Sequence, residues 1–265
     1  MTRPRNYQTE AVIIKKTKLG EADSILTMYT PDMGKIQGFA KSLRRPKSKM
    51  AGHLELLTHS KVSLARGRNL DTITGAQTIT AFLPLKNDLW LTSYGLYVIE
   101  LVNQFTAEHD KNPILFRLLL DTLHKLCQKD VDKEFVLRYF EMHLLSEVGY
   151  RPQLQRCVTC KSPLQPVTNY FSPNAGGALC PDCGMQQSLS QPLSVNALKV
   201  LRFLQDNDYD TANRLKIDEA LSRELETIMR SHIKYLLEHD VKSVEWLDIL
   251  RAQMLQANTG QQPTS

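Results

Sequence analysis

Between residues 8 and 82 the apolar positions come in short runs that alternate with polar ones. Residues 11–14 are apolar and mostly β-branched, and lead into a polar stretch around Gly20. Residues 24–30 alternate, and so do residues 35–40. Between them Pro31, Asp32, Met33 and Gly34 place Pro early and Gly late, which signals a turn, so residues 24–40 read as a hairpin. Residues 58–66 and 71–81 read as two more strands, separated by Gly67, Arg68 and Asn69. Five short strands in about 80 residues fit a small β-barrel of OB-fold size.

Pro84 marks a change of period. Leu85, Leu89, Leu96, Val98, Leu101, Val102 and Phe105 recur at helical spacing, and residues 113–128 and 133–148 continue the pattern. Pro113 suits a first helical turn, and Gly149 with Pro152 beyond it suits a stop. Residues 150–190 differ: they are poor in apolar side chains and hold four cysteines. Helical periodicity returns at 194–206, 214–239 and 243–256. The expected class is a multidomain α+β protein. An OB-fold barrel spans 1–82, and a helical domain is made of 83–149 and 191–257. A zinc-binding module is inserted at 150–190, and a disordered polar tail runs over 258–265.

Composition adds little until charge is divided along the chain. The 265 residues are 42% hydrophobic and 23% charged, ordinary for a soluble globular protein. No apolar run approaches the ~20 residues that span a bilayer. The start, Met1 to Arg5, has charge but no apolar stretch behind it, which predicts no signal peptide and a cytoplasmic, nucleoid-associated protein without membrane contact. Residues 1–80 hold 14 Lys and Arg against 6 Asp and Glu, a net of +8. The remaining residues hold 19 against 22, a net of −3. A basic third on a mildly acidic body points to a polyanionic partner.

The cysteines carry the sharpest motif. Cys157, Cys160, Cys180 and Cys183 form two C-x2-C pairs with 19 residues between them. Two residues between cysteines let one turn aim both sulfurs at one ion, and four thiolates complete a tetrahedral shell around zinc. A segment this poor in apolar residues needs the free energy of the metal, an apparent ~10–16 kcal/mol for structural zinc. Disulfides do not suit a reducing compartment. The expected cofactor is one structural Zn2+. Cys127, among Leu123 and Leu126, reads as a helix residue and not a ligand.

The basic charge is concentrated. Lys41, Arg44, Arg45, Lys47 and Lys49 fall within nine residues without an acid. Lys15, Lys16 and Lys18 form a second cluster, Lys35 lies on the hairpin, and Arg66 and Arg68 flank a turn. Loops of a small barrel converge, so these side chains are the expected phosphate contacts, giving affinity without sequence preference. Tyr7, Tyr29 and Phe39 are the aromatic residues of the first 80, too few for base stacking to dominate.

Other chemistry is excluded residue by residue. His53-Leu54-Glu55 imitates the H-x-E of zinc deaminases, but Arg156 and Leu179 stand where those enzymes place proline. Four thiolates also leave no open position for water. Asp206, Asp208 and Asp210 resemble the start of an EF-hand loop, yet Thr211 and Ile217 occupy the positions that need Gly and Glu, so a helix–loop junction is expected. No Walker-type phosphate loop is present, and no histidine is spaced to serve a nucleophile.

These residues resemble the bacterial recombination mediator RecO family. Gly20-Glu21-Ala22-Asp23, Thr30 to Lys35, Lys41 to Ser48, His53-Leu54-Glu55 and Arg66-Gly67 are similar to its N-terminal signature. Leu144 to Leu154, leading into Cys157 and Cys160, is similar to its central one. The resemblance covers roughly residues 8–250, and all four cysteines place it with the zinc-containing branch. It implies an OB-fold, a helical domain with the zinc module, and no catalytic residues. It implies binding to single- and double-stranded DNA, annealing of complementary strands, and action with RecR to load RecA on strands coated by single-strand-binding protein. It also implies that the helical domain contacts the acidic, Phe-ended tail of that coating protein. The alternative on the residues alone is a zinc-ribbon and OB-fold factor for transcription or RNA-binding assembly.

Overall fold

The alternating segments form β1 (Asn6–Leu19), β2 (Asp23–Thr30), β3 (Gly34–Ala40), β4 (His59–Ala65) and β5 (Asp71–Thr80). The computed structural model, which describes residues 5–259, closes them in the order β1-β2-β3-β5-β4, with β1 pairing back onto β4. The β3–β5 pair is parallel and the other neighbours are antiparallel, the arrangement of the expected OB-fold. β1 is longer than its apolar run at 11–14 because it serves two partners. Asn6–Val12 pairs with β4, and from Val12 onward it pairs with β2, with a register shift between Ile13 and Lys15 where the strand bends. Its polar flanks hide that length from the alternation pattern. Ile13, Leu26, Met28, Ile36, Val62, Leu64 and Ile73 fill the barrel, and Leu43 and Leu54 from the β3–β4 loop close it.

The helices are α1 (Leu83–Asn87), α2 (Leu89–Phe105), α3 (Pro113–Leu126), α4 (Lys133–Glu147) and α5 (Pro181–Met185). They continue with α6 (Val195–Asp206), α7 (Tyr209–Ala212), α8 (Glu219–Leu237) and α9 (Lys242–Thr259). Three short strands, β6 (Asn169–Ser172), β7 (Gly177–Leu179) and β8 (Gln191–Leu193), pair in the order β7-β6-β8. Of the tail expected at 258–265, residues 260–265 lie outside the described residues, and 258–259 complete α9. Met1 to Pro4, at the start read for a signal peptide, also lie outside them.

Packing divides the chain into two units, and not along the expected boundaries at 82, 149 and 190. One unit comprises the described residues up to Lys129 and those from Val241 on, and the other is Asp130–Asp240. The reason lies on the barrel surface. Gly95 of α2 lets Leu57 approach so closely that a Cβ would meet its methyls at 2.9 and 3.1 Å. Phe116 of α3 packs on Tyr29 and His59, with ring centroids 6.4 and 5.9 Å away. The loop after α2 docks on the hairpin: His109 N–H donates to Lys35 O at 2.9 Å. Gly34, at φ +63°, sits so close that a Cβ would lie 1.9 Å from Asp110 O. α9 returns to this unit because Glu100 of α2 accepts the N–H groups of Lys242 and Ser243 at 3.0 and 2.9 Å, a carboxylate at a helix N-terminus.

The second unit packs α4, α6 and α8 around Phe140, Leu144, Leu201, Leu204, Leu225 and Ile228. The cysteine segment, read from its composition as lacking a core of its own, buries several apolar side chains. Leu154, Phe171, Ala178, Leu179 and Leu193 are buried, and the β6 sheet is tied to α8 through Gln191 and Ser231 at 2.6 Å. Phe171 meets His232 of α8 edge-on, with centroids 5.3 Å apart.

His232 makes the stability of this unit depend on pH. The ring is buried, and burial lowers its pKa from 6.5 to about 4, the nearby backbone of Tyr150 offsetting this only in part. The folded state therefore favours the neutral ring more than the unfolded state does. That contribution is complete above pH 6.5 and is lost as pH falls towards 4, by about 3 kcal/mol in all. Chemical denaturation at several pH values is expected to show this slope, and His232→Leu to flatten it. An unchanged slope in the variant would remove His232 as the cause.

Candidate nucleic-acid interface and metal centre

The β3–β4 loop presents its cations around two buried anchors, Leu43 and Leu54. Asp23 at the start of β2 accepts Ser42 N–H at 2.6 Å, and Arg44 N–H donates to Ala22 O at 2.9 Å, so the loop is clamped on the β1–β2 turn. Lys41, Arg45, Lys47 and Lys49 are exposed. Arg44 is only partly exposed, and its guanidinium donates to Gly20 O, which gives it a structural duty beside any phosphate contact. The clamp by Asp23 is invisible to sequence patterning, although the Gly20 to Asp23 motif marks its place.

Arg66 and Arg68 join this end of the barrel. The parallel pairing of Gly38 with Asp71 and Phe39 with Thr72 brings the β4–β5 turn beside the end of β3, where the basic loop begins. Both arginines are exposed. Arg66 lies over the Tyr7 ring at 4.8 Å, and Tyr7 Oη donates to Asp71 at 2.6 Å. Burial, with the Asp71 carboxylate, pushes the Tyr7 phenol up, so it stays a neutral donor. Tyr7 is half-buried, Phe39 partly so and Tyr29 fully, which leaves charge as the main asset of this surface.

Three of the expected cations lie elsewhere. Lys35 is at the other end of β3, where its Nζ donates to Asn103 O at 2.7 Å near the C-terminus of α2. Burial lowers its pKa, and Glu108 partly restores it. Lys15 and Lys16 border a groove of about 550 Å³ that runs between β1, α2 and α9. Its walls include Ile14, Leu56, Leu89, Leu96 and Trp246, with Lys242 on the rim.

In the second unit the four cysteines converge: their sulfurs all lie within 4.8 Å of one another. Cys160 and Cys180 are 3.7 Å apart, and at ~2.3 Å from a tetrahedral zinc two sulfurs stand about 3.8 Å apart. Each pair sits on a tight turn. Lys161 takes φ +63° and its N–H returns to Cys157 O at 3.0 Å. Pro181 opens α5, and Gly184 N–H donates to Cys180 O at 2.9 Å. A Cβ at Gly184 would lie 2.3 Å from the Tyr170 ring, so the second turn requires glycine.

The sulfurs are chemically unequal. Hydrogen bonds from Ser162 lower the Cys160 thiol to about 6, with Cys157 and Cys180 helping. Contact with the Cys180 thiol, then burial and the other sulfurs, raises Cys183 to about 12. In so small a space the first thiolate opposes the next, and four coexist only around a cation. The donor set therefore fits a thiophilic metal with a closed shell. Cys127 closes α3 in the other unit and takes no part. His53 is held in the barrel by Thr78 at 2.8 Å, and Asp208 caps α7 through Thr211 N–H at 2.8 Å, so neither belongs to a metal site.

Comparison with known proteins bears on both surfaces. Residues 1–82 match the family model "Recombination protein O N terminal", and residues 86–245 match "Recombination protein O C terminal". A protein of Dehalococcoides mccartyi (strain CBDB1) named DNA repair protein RecO is 49% identical over 95% of this chain and 98% of its own length. Proteins of the same name from Roseiflexus sp. (strain RS-1) and Symbiobacterium thermophilum are 40% and 33% identical. They cover 97% and 93% of this chain, and 90% and 98% of their own lengths.

Proposed function

The chain belongs to the recombination protein O family, and from that premise we propose a non-enzymatic DNA-binding mediator of recombination in DNA repair. The observation that carries the reading is the β3–β4 loop, whose exposed cations stand on buried anchors at one end of a closed barrel. Phosphates of single- or double-stranded DNA meet Lys41, Arg45, Lys47 and Lys49, with Arg66 and Arg68 beside them. Arg44 holds the loop in place and adds its charge. Neutralising the phosphates of two strands removes the repulsion between them, and base pairing then supplies the free energy of annealing without nucleotide hydrolysis.

One Zn2+ bound by Cys157, Cys160, Cys180 and Cys183 fixes the loops of the module and supplies no reactive position. Acting with RecR, the protein helps load RecA on strands coated with single-strand-binding protein. Its work is at the nucleoid in the cytoplasm, a reading that rests on the family; among the described residues no helix is long and apolar enough to cross a membrane. Annealing of complementary strands in the absence of any nucleotide tests this reading.

For the acidic tail of single-strand-binding protein, expected on the helical domain, we propose the groove that α2 and α9 form with β1, where Glu100 is engaged by the N–H groups of Lys242 and Ser243. Leu89 and Trp246 offer apolar contact, and Lys15, Lys16 and Lys242 offer charge to carboxylates. Removing residues 1–80 would strip α2 and α3 of the barrel they pack on, so the groove is best tested in the intact chain. Trp246 fluorescence is expected to change when a tail peptide is added, and a Lys16→Glu/Lys242→Glu variant to lose that response. A wild-type protein without the response would contradict this placement.

A further inference from the structure

Charge in the second unit is uneven in a way the whole-chain balance conceals. Residues 148–205 carry five basic side chains, Arg151, Arg156, Lys161, Lys199 and Arg202, against one acid, Asp182. The other residues after position 80 carry 14 basic and 21 acidic side chains. Contacts tie the arginines to α6 and the first cysteine turn, and Lys199 stands on α6 itself. Arg202 of α6 donates from Nε to Leu154 O at 2.8 Å and from Nη2 to Gln155 O at 3.5 Å, which sets its guanidinium against the backbone just before Arg156. Arg156 reaches the carbonyl of Lys161 at 3.4 Å, across a bridge that pairs it with Pro163. Lys199 lies three residues before Arg202, on the same side of α6. Arg151 meets Asp206 at the end of α6 at 2.6 Å.

The first cysteine turn and one edge of α6 thus present a ridge of cations. Arg151, Arg156, Lys161 and Lys199 are exposed, and Arg202 is partly so. Arg156 and Arg202 are positioned by neutral carbonyls, so they are ordered while keeping their charge. Arg151 is in an ion pair, an exposed one of small energy. The exposed neighbours Gln153, Gln155, Thr159 and Ser162 are polar. They can donate to sugar and phosphate oxygens, and the exposed Tyr150 ring beside Arg151 offers a face for a base.

We propose that this ridge is a second phosphate-binding surface, which holds the second DNA strand during annealing. The proposal rests on the reading of the protein as a DNA-annealing mediator and adds where its second strand is held. One strand lies on the barrel loop of the first unit, and its complement on the ridge of the second. Contacts of this kind carry no sequence preference, as annealing of arbitrary strands requires.

The test uses the full-length, zinc-loaded protein, saturated with one oligonucleotide and titrated with a labelled, non-complementary second one. Arg156→Ala/Lys161→Ala/Lys199→Ala is compared with Arg45→Ala/Lys47→Ala/Lys49→Ala. With about 0.7 counterion released per single-strand phosphate, loss of three contacts makes the salt slope shallower by about 2 and binding at 0.1 M salt up to about 100-fold weaker than wild type. The ridge variant is expected to lose second-strand binding by up to that factor, and annealing with it, at unchanged zinc content and thermal midpoint. Wild-type second-strand binding in that variant would overturn the proposal and leave the barrel reading intact. So would a loss accompanied by lower zinc content, which would make the cations mere counter-charges of the thiolates. Retained DNA binding with lost affinity for a poly-glutamate peptide would assign the ridge to a protein partner instead. Absence of DNA binding in the wild type would overturn both readings.

Discussion

Cys180→Ser is expected to yield protein without stoichiometric zinc and with an unfolded cysteine module. Cys180 caps α5 and stands 3.7 Å from Cys160, so its loss leaves three thiolates and an open shell. Structural zinc supplies an apparent ~10–16 kcal/mol in small four-ligand modules. Here part of that is shared with a core of Leu154, Phe171, Leu179 and Leu193, so the damage is local in the first instance. Hydrogen exchange is expected to rise across residues 153–193, while β1–β5 keep their protection. Metal analysis gives the direct reading: one zinc in wild type and a substoichiometric amount in the variant. Wild type purified without chelator and free of zinc would remove the metal from the account.

The second large effect is on DNA affinity. Arg45→Ala/Lys47→Ala/Lys49→Ala removes exposed charge from a loop whose anchors stay in place, so the thermal midpoint should barely move. Log affinity for single strands falls against log salt by about 0.7 per phosphate neutralised, so the slope should become shallower by up to about 2. The loss should be the same on two unrelated oligonucleotides, because phosphate contacts carry no base information. Arg44 is left out deliberately, since its bonds to the β1–β2 turn would mix stability with affinity. An unchanged slope would make the loop a solvated surface. A loss confined to one sequence would favour a transcription or RNA-binding factor.

Much of this is legible in the amino-acid sequence. The barrel strands follow from alternation and from the turn at Pro31 to Gly34, because one face of each strand must be apolar. The convergence of the four cysteines follows from spacing, since C-x2-C fixes local geometry whatever the fold. What stays hidden is long-range. Glu100 is one acid among many until it caps α9 and draws that helix to the barrel unit. Lys35 looks like any surface lysine until its ammonium reaches the carbonyl of Asn103. The strands β6, β7 and β8 are three or four residues long, too short for a period to show. The ridge on the second unit is masked when charge is summed over the whole C-terminal body.

The decisive measurement is the annealing of two complementary strands, each coated with single-strand-binding protein. The purified protein is expected to accelerate duplex formation without any nucleotide, the acceleration to fade as salt rises, and the barrel triple variant to lose it in proportion to its loss of binding. Acceleration that requires a nucleoside triphosphate, or no acceleration by a protein that binds both strands, would contradict this expectation.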